Sequence, residues 1–218
     1  MDGQLPLASG RDADVYALDA HRVLRRYRNG GDVTAESKVM GYVTELGFPV
    51  PVVYSASGAD LVMERVHGPT MLESLVDGSL DVQAGGVLLA DLHRRLHDLP
   101  ALLSADATDR ILHLDLHPGN VLLSPRGPVV IDWRNATEGP ADLDLALSAL
   151  ILAEVAVEKA NPLASTASLL LSAFLESAGG DPLRTLSQAV EIRRADPALL
   201  GADAGLLGEA ASLISRSR

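Results

Sequence analysis

Several residue types and patterns are scarce in this chain, and each scarcity excludes a class of protein. The 218 residues include no cysteine, so disulfide bonds, thiolate metal sites and catalytic thiols are excluded. Aromatic residues make up 3% of the chain, with a single tryptophan, which disfavours an aromatic cage for choline-like ions. The longest apolar stretch, around Leu145 to Ala153, is far shorter than the ~20 residues of a membrane span. We therefore expect no membrane segment.

Basic residues are a minority and form no block. The formal net charge is −11 at pH 7. A binder of the phosphate backbone needs a positive stripe, so no nucleic-acid partner is expected, whereas a negative field favours neutral or cationic small molecules. The start, Met1-Asp-Gly-Gln4, lacks the features of a signal peptide, and we expect a cytoplasmic protein. The composition indicates a bacterial source, and the oligomeric state stays open.

The pattern of the sequence changes near residues 64–69. Before this point, short β-like runs surround one helix predicted from Asp32 to about Leu46. The runs lie at 15–18, 23–27, 50–54 and 61–63. After it, helical spacing dominates, starting with a helix that Asp81 caps, and short strands recur only around 110–131. The pattern predicts an α+β chain with a small β-rich lobe over 1–66 and a mainly helical lobe over 67–218.

One segment carries residue types that suit phosphate chemistry. It reads His113-Leu-Asp115-Leu-His117-Pro-Gly-Asn120, and Val130-Ile-Asp132-Trp133 follows it. If 121–123 and 129–131 pair as a hairpin, Asn120 and Asp132 lie at the same end of it, and their oxygens converge with those of Asp115. Carboxylate and amide oxygens suit Mg²⁺, a hard ion usually shared with substrate phosphates. Ordinary turn residues are the alternative interpretation.

The histidines allow two other interpretations. His93 and His97 are four residues apart on a predicted helix, but the glutamate of a zinc protease motif is missing between them, so His93 is expected to pack within the fold. The alternation of His113, Asp115 and His117 is also compatible with the metal ligands of a hydrolase, and this alternative stays open.

The segment over 113–120, the predicted catalytic loop, resembles that of the aminoglycoside phosphotransferase and choline kinase group, within the protein-kinase-like fold. The resemblance implies a kinase that transfers the γ-phosphate of ATP or GTP to a hydroxyl of an aminoglycoside, an amino sugar or a similar metabolite. It implies that Asp115 accepts or orients the acceptor hydroxyl and that His117 contacts the transferred phosphate. Asn120 and Asp132 are expected to bind Mg²⁺, and Asp144 to cap its helix and anchor the loop.

The resemblance covers about residues 8 to 155 and also assigns nucleotide contacts in the first lobe. Arg25 corresponds to the phosphate-binding cation of the third strand, and Glu36 to its acidic partner on the following helix. Gly10 belongs to the loop that covers the phosphates. The hinge strand, whose backbone binds the adenine edge, is assigned to Met63, Glu64 and Val66.

The chain departs from the family pattern at three places, and the first two bear on nucleotide affinity. The phosphate-covering loop at 9–16 has one glycine and two acids, Asp12 and Asp14, which repel phosphate or face solvent. Arg25 stands where the family usually has lysine; arginine keeps the charge but differs in shape and reach. Leu114 replaces a usual glycine.

Other functions stay open beside the small-molecule kinase. The chain is alternatively a non-catalytic nucleotide-binding pseudokinase or regulatory module, or a compact atypical protein kinase. The segment from Trp133 to Asp144 is only a dozen residues long, which is too short for an activation-loop insert and favours a small acceptor. Three acids of the C-terminal helices either attract a cationic acceptor or form a solvated face: Glu154, Glu158 and Glu176.

Overall fold

The structure, a computed structural model, describes residues 5–10, 12–28, 30–196 and 204–217. Residues 1–4, on which the expectation about a signal peptide rests, lie outside the described residues, as does Arg11 of the predicted phosphate-covering loop. The contacts within the chain divide it into two compact units. The first unit comprises Met1–Pro69 and Leu122–Ala136, and the second comprises Thr70–Val121 and Thr137–Arg218.

The described elements mix short strands with helices. The strands are β1 (Ala8–Ser9), β2 (Ala13–Ala17), β3 (Arg22–Tyr27), β4 (Val53–Ser57), β5 (Asp60–Glu64), β6 (Arg110–Leu112), β7 (Val121–Ser124), β8 (Gly127–Val130) and β9 (Thr137–Gly139). The helices are α1 (Thr34–Glu45), α2 (Met71–Val76), α3 (Val82–His97), α4 (Ala141–Val157), α5 (Ala164–Ser177), α6 (Leu186–Ala195) and α7 (Ala204–Arg216).

An antiparallel sheet with the strand order β1-β2-β3-β5-β4 forms most of the first unit. Its central strand is β3, which pairs Arg25 with Val15 of β2 and with Leu61 of β5. Successive side chains of a strand point to opposite faces. Arg25 is accordingly buried while Arg26 is exposed and pairs with Asp60. The predicted strand at 50–54 begins only at β4, because a proline at position 51 cannot donate to a ladder.

Helix α1 begins later than the sequence predicts. Asp32 does not occupy the cap position, which is Val33; its carboxylate accepts the backbone N–H of Thr34, the first residue of the helix. A short 3-10 helix, Trp133–Asn135, packs on α1. Trp133 is fully buried and lies edge-on to Phe48, with ring centroids 5.7 Å apart.

The hairpin of β7 and β8 is present, as the sequence predicts. Its residues from 122 onward belong to the first unit because of two backbone hydrogen bonds: Leu123 N–H to the Pro69 carbonyl and Val130 N–H to the Pro49 carbonyl, both 2.8 Å. The close approach requires Gly68, which has a φ of +147° and whose added Cβ would lie 2.1 Å from the Leu123 carbonyl oxygen. The division predicted at residue 66 places this hairpin in the second lobe instead.

Helix α4 forms the centre of the second unit. It is apolar on all sides and largely buried from Leu143 to Ala153, as a helix without a polar face must be. Helices α5, α6 and α7 pack against it, and α3 packs against α5. The last of these contacts is tight, since a Cβ at Gly86 would lie 2.4 Å from the Cβ of Ala173. None of the helices in the described part of the chain has the length and apolar character of a membrane span.

Two helices illustrate what local sequence predicts. Asp81 accepts the backbone N–H of Ala84 and caps α3, which confirms the predicted start. Helix α2 was not predicted, although Thr70 and Glu73 form a reciprocal capping box at its start.

Candidate active site

In the first unit, a charged cluster surrounds the guanidinium of Arg25. Its Nη1 donates to Glu36 at 2.5 Å, and its Nη2 donates to Asp132. The hydroxyl of Tyr27 donates to the other oxygen of Glu36. The side chains of Arg25 and Glu36 are 9% and 4% exposed, whereas that of Asp132 is 42% exposed. The cluster therefore connects a buried ion pair to one carboxylate that reaches solvent.

The cluster keeps Arg25 positively charged. Burial opposes the charge, but the carboxylates of Asp132 and Glu36 outweigh it and raise the pKa of Arg25 above its ordinary value. Burial also raises the pKa of Glu36, although Arg25 acts in the opposite direction. Burial and the hydrogen bond to Glu36 raise the pKa of Tyr27, so its hydroxyl remains a donor. The result is a fixed cation beside the accessible carboxylate of Asp132.

The two acids of the predicted phosphate-covering loop are paired with arginines. Asp12 lies 2.7 Å from Arg134, and Asp14 lies 3.4 Å from Arg28. Arg28 also donates to the carbonyl of Gly10. A Cβ at Gly10 would meet only an ordinary contact, 3.6 Å from the nearest carbonyl oxygen. The turn therefore does not require glycine at this position, and arginines offset the negative charge of both acids.

The predicted hinge residues lie at the end of β5 and just after it. Met63 pairs with Val23 of β3 within the sheet. The N–H of Glu64 donates to the Val52 carbonyl at 2.8 Å. Within the part of the chain that the structure describes, no group hydrogen-bonds the backbone N–H of Val66. A ligand could therefore engage the N–H of Val66 without breaking a described bond, whereas the N–H of Glu64 is already bound.

In the second unit, the buried carboxylate of Asp144 holds the predicted catalytic loop. It accepts the backbone N–H groups of His113 at 3.1 Å and Leu114 at 2.7 Å, and it lies 2.9 Å from Nε2 of His97. Burial alone would raise the pKa of Asp144, but the hydrogen bond and charge of His97 hold it well below its ordinary value. Asp144 therefore anchors the loop as predicted. It does not cap α4, because Pro140 occupies the cap position.

Two further histidines support this region. Nδ1 of His113 accepts the backbone N–H of Asp115 at 3.3 Å. His93 is fully buried; its Nδ1 donates to the carbonyl of Leu89 at 2.9 Å, and its Nε2 lies 2.8 Å from the hydroxyl of Ser148. Burial lowers the pKa of His93 to about 4, so the ring is neutral at pH 7. His93 is thus the packed histidine that the sequence predicts.

The loop brings Asp115, His117 and Asn120 together. Nδ2 of Asn120 donates to the backbone carbonyl of Asp115 at 2.9 Å and lies 3.4 Å from its Oδ2. Nε2 of His117 lies 3.8 Å from Oδ1 of Asp115, and the two side chains are 30% and 17% exposed. Nδ1 of His117 accepts the N–H of Gly119 at 3.1 Å. A carboxylate next to an imidazole suits a group that receives a proton beside a reacting phosphate.

The oxygen donors of Asn120 and Asp132 each fit a hard cation. Asn120 bonds through its amide nitrogen, and no group in the described residues donates to its oxygen. Arg25 binds only Oδ1 of Asp132, which leaves Oδ2. Mg²⁺ prefers such carboxylate and amide oxygens.

The metallohydrolase alternative is not supported. Across residues 5–10, 12–28, 30–196 and 204–217, no group of three or more His, Asp or Glu side chains is placed to hold a metal ion. His113, Asp115 and His117 therefore do not form the ligand set that their spacing allows. His113 accepts a backbone N–H of its own loop instead.

Two non-glycine residues among those described have a positive φ, and each lies in one of these two regions. Asp132 has a φ of 65° and Leu114 a φ of 61°. Aspartate tolerates this left-handed conformation, but a leucine is strained in it. Strained backbone of this kind concentrates at functional sites. Leu114, which stands where the resemblance leads us to expect glycine, thus has a backbone conformation that favours glycine.

The acids of the C-terminal helices already have partners. Glu154 accepts from Arg193 at 3.2 Å and 2.5 Å. Glu158 accepts from Asn161 at 2.9 Å, and Glu176 from a serine hydroxyl one turn earlier at 3.1 Å. These contacts favour the interpretation as surface helix charges over that of an amine site.

Two residues of these networks were missed in the sequence. Tyr27 lies two positions after Arg25 on the same face of β3, a spacing that could have identified it. The contact of His97 with Asp144 joins residues 47 positions apart, and no local pattern indicates it.

Comparison with known families agrees with this chemistry. The α+β fold and the anchored loop define a phosphotransferase that uses a hydroxyl acceptor. A model of the phosphotransferase enzyme family matches residues 3–108 and 98–163, and the chain belongs to this family. No curated protein matches the chain in sequence.

Solved structures share the fold at low sequence identity. ADP-bound aminoglycoside phosphotransferase APH(2'')-Ib has a TM-score of 0.56 and 15% identity, over 96% of this chain and 93% of that one. The streptomycin–ATP complex of APH(2'')-IIa has a TM-score of 0.57 and 14% identity, over 98% and 90%. Ethanolamine kinase of Plasmodium vivax has a TM-score of 0.57 and 11% identity, over 98% and 80%. The protein-kinase-like fold predicted from the sequence is confirmed.

Proposed function

We propose that this chain is a small-molecule kinase that transfers the γ-phosphate of ATP to a hydroxyl of an aminoglycoside, an amino sugar or a similar metabolite. The observation that carries the proposal is the predicted catalytic loop, in which Asp115 lies close to both His117 and Asn120 and the buried Asp144 fixes the backbone. Structures of the same fold hold ADP, or ATP with streptomycin, which supports ATP as donor and a small acceptor. GTP is the alternative donor to test.

In the proposed reaction, the acceptor oxygen attacks the γ-phosphorus and forms the new O–P bond. The bond between that phosphorus and the bridging oxygen breaks, and ADP leaves with the electron pair. Asp115 orients the hydroxyl and accepts its proton. His117 contacts the transferred phosphoryl group. The protein acts mainly by positioning these groups and stabilising charge.

The proposed nucleotide contacts combine the charged cluster of the first unit with the residues that the family resemblance assigns. Arg25, held by Glu36, binds the α- and β-phosphates. Asn120 and Asp132 would hold Mg²⁺, which would offset phosphate charge. Gly10 lies in the loop over the phosphates. The adenine edge is assigned to the backbone of Met63, Glu64 and Val66.

The test is turnover by the purified chain, measured as ADP or GDP formed with a panel of hydroxylated acceptors. Asp115→Ala is expected to lower kcat by at least about 100-fold, because a positioned base contributes roughly that much. The affinity of the Asp115→Ala variant for MgATP should equal that of the wild type. Asp98→Ala is the matched control, since the Asp98 side chain is 70% exposed in the same unit.

Three results would contradict the proposal. Wild-type turnover by Asp115→Ala would remove the role of that carboxylate. MgATP binding without turnover of any acceptor would favour the pseudokinase or regulatory module. Transfer to a protein hydroxyl alone would favour the compact protein kinase.

A further inference from the structure

An apolar cavity adjoins the predicted catalytic loop inside the second unit. Its volume is about 150 Å³, and its walls come from α2, α4, α5 and the loop residues from His117 to Gly119. Aliphatic side chains form most of the wall, among them Leu72, Val76, Leu152 and Val155. The cavity therefore lies against the loop that carries Asp115.

The lining of the cavity does not suit a cationic group. Among the residues that the structure describes, no Asp, Glu, Lys or Arg side chain lines it, and its polar side chains are those of His117, Asn161 and Thr166. The nearby acid Glu154 is already bound to Arg193. Moving an ammonium ion into such surroundings would remove its water without supplying a counter-charge.

Two apolar residues that line the cavity are also exposed. Val76 is 60% exposed and Leu72 is 39% exposed, both on α2. Exposed apolar residues beside a concave apolar site are typical of ligand binding. A cavity of about 150 Å³ lined by aliphatic residues holds one benzene ring. The matching occupant is a single six-membered ring or a branched alkyl group of similar size.

We infer that this cavity binds an apolar group of the phosphate acceptor. The acceptor is then an uncharged alcohol that carries a ring or branched alkyl group of about six carbons, with its hydroxyl within reach of Asp115. This inference rests on the proposed function, because the role of Asp115 comes from it. It keeps the proposed transfer to a hydroxyl of a small molecule, but it replaces the charged amino sugars as acceptors with uncharged alcohols of this kind.

The cavity is tested first without nucleotide, by ligand-observed NMR with cyclohexylmethanol and with glucosamine as probes. Cyclohexylmethanol is expected to bind, and Val76→Asp to weaken binding at least tenfold. Leu169→Asp is the matched control, since Leu169 is 63% exposed on α5 and does not line the cavity. If Val76→Asp lowers Tm, Leu72→Asn replaces it.

Turnover with MgATP forms the second arm. We expect kcat/KM for cyclohexylmethanol to exceed that for glucosamine at least tenfold and to fall in Val76→Asp but not in Leu169→Asp. Turnover of glucosamine without binding of cyclohexylmethanol would overturn the inference and leave the kinase standing. Equal binding of cyclohexylmethanol to wild type and Val76→Asp would also overturn it. Cavity binding by a chain that binds no nucleotide would contradict the kinase while supporting the cavity.

Discussion

The two units each contain a buried carboxylate network, and the networks are built differently. In the first unit, Glu36 and Asp132 bind one side chain, Arg25, and Asp132 is 42% exposed. In the second unit, Asp144 binds two backbone N–H groups and a histidine and has no exposed surface. The first network presents charge to solvent, and the second fixes the path of the chain.

This difference indicates that the two networks have different roles, one in binding a ligand and the other in fixing the backbone. If a buried carboxylate moves away from the backbone N–H groups that it binds, those groups lose their acceptor, which costs free energy. Asp144 is therefore suited to hold the loop rigidly. A carboxylate paired with one arginine nitrogen keeps a second oxygen for a ligand, so Asp132 is suited to bind. Substitutions should therefore affect stability most in the second network and ligand affinity most in the first.

The largest stability effect is expected from Asp144→Ala. It leaves two backbone N–H groups and Nε2 of His97 without their acceptor, which should cost about 3–5 kcal/mol. Denaturant unfolding measures this. Asp144→Asn, which keeps the size and one oxygen, should lose less. If Asp144→Ala lost less unfolding free energy than Glu36→Gln, the assignment of a structural role to the second network and a ligand-binding role to the first would be contradicted.

Acid should destabilise the second unit through His93. Its folded-state pKa of about 4 lies below the ordinary value of 6.5, so the unfolded chain binds the proton more readily. Stability should therefore fall as pH drops from about 6.5 to about 4, by about 3 kcal/mol in total. The check is unfolding free energy against pH, with non-titrating His93→Gln for comparison. Identical pH profiles would contradict the burial argument.

A smaller effect is expected from Arg25→Lys. Lysine keeps the charge but cannot bind two carboxylates in the forked geometry of arginine. One charged hydrogen bond is lost, which should cost about 2 kcal/mol of unfolding free energy. Arg26→Lys is the matched control on the exposed face of β3, and it should change stability little. Equal losses of unfolding free energy in Arg25→Lys and Arg26→Lys would contradict the role of the two-nitrogen geometry of Arg25.

The smallest effect is expected from Leu114→Gly. Glycine relieves the strain of a positive φ but loses the half-buried side chain, so the net change should stay within about 1 kcal/mol. Leu116→Gly, at a fully buried neighbour, should cost several times more. Thermal unfolding of both variants measures the contrast, and a large loss in Leu114→Gly would contradict the strain at this position.

Local features were the predictable part of this structure. The spacing from Asp115 to Asn120, the cap at Asp81 and the hairpin of β7 and β8 all depend on residues close in sequence. The alternation along β3 also predicts that Arg25 and Arg26 point to opposite faces of the sheet. Patterns of this kind report local geometry directly.

Contacts distant in sequence were the part that could not be predicted. Arg25 and Asp132 are 107 residues apart, and their bond depends on how the hairpin packs within the first unit. The arginine partners of Asp12 and Asp14 likewise lie on other elements, so the sequence left these acids as phosphate-repelling or solvated. The apolar cavity combines three helices and a loop, and no single segment indicates it.

The central claim, that the first network binds a nucleotide with Mg²⁺, is tested most directly by thermal unfolding with and without MgATP. A ligand at about 100 times its Kd adds ~2.7 kcal/mol, which corresponds to a rise in Tm of roughly 5–10 °C for a chain of this size. We predict this rise for the wild type and its loss in Asp132→Ala. No rise with MgATP or MgGTP, or an equal rise in Asp132→Ala, would contradict the account.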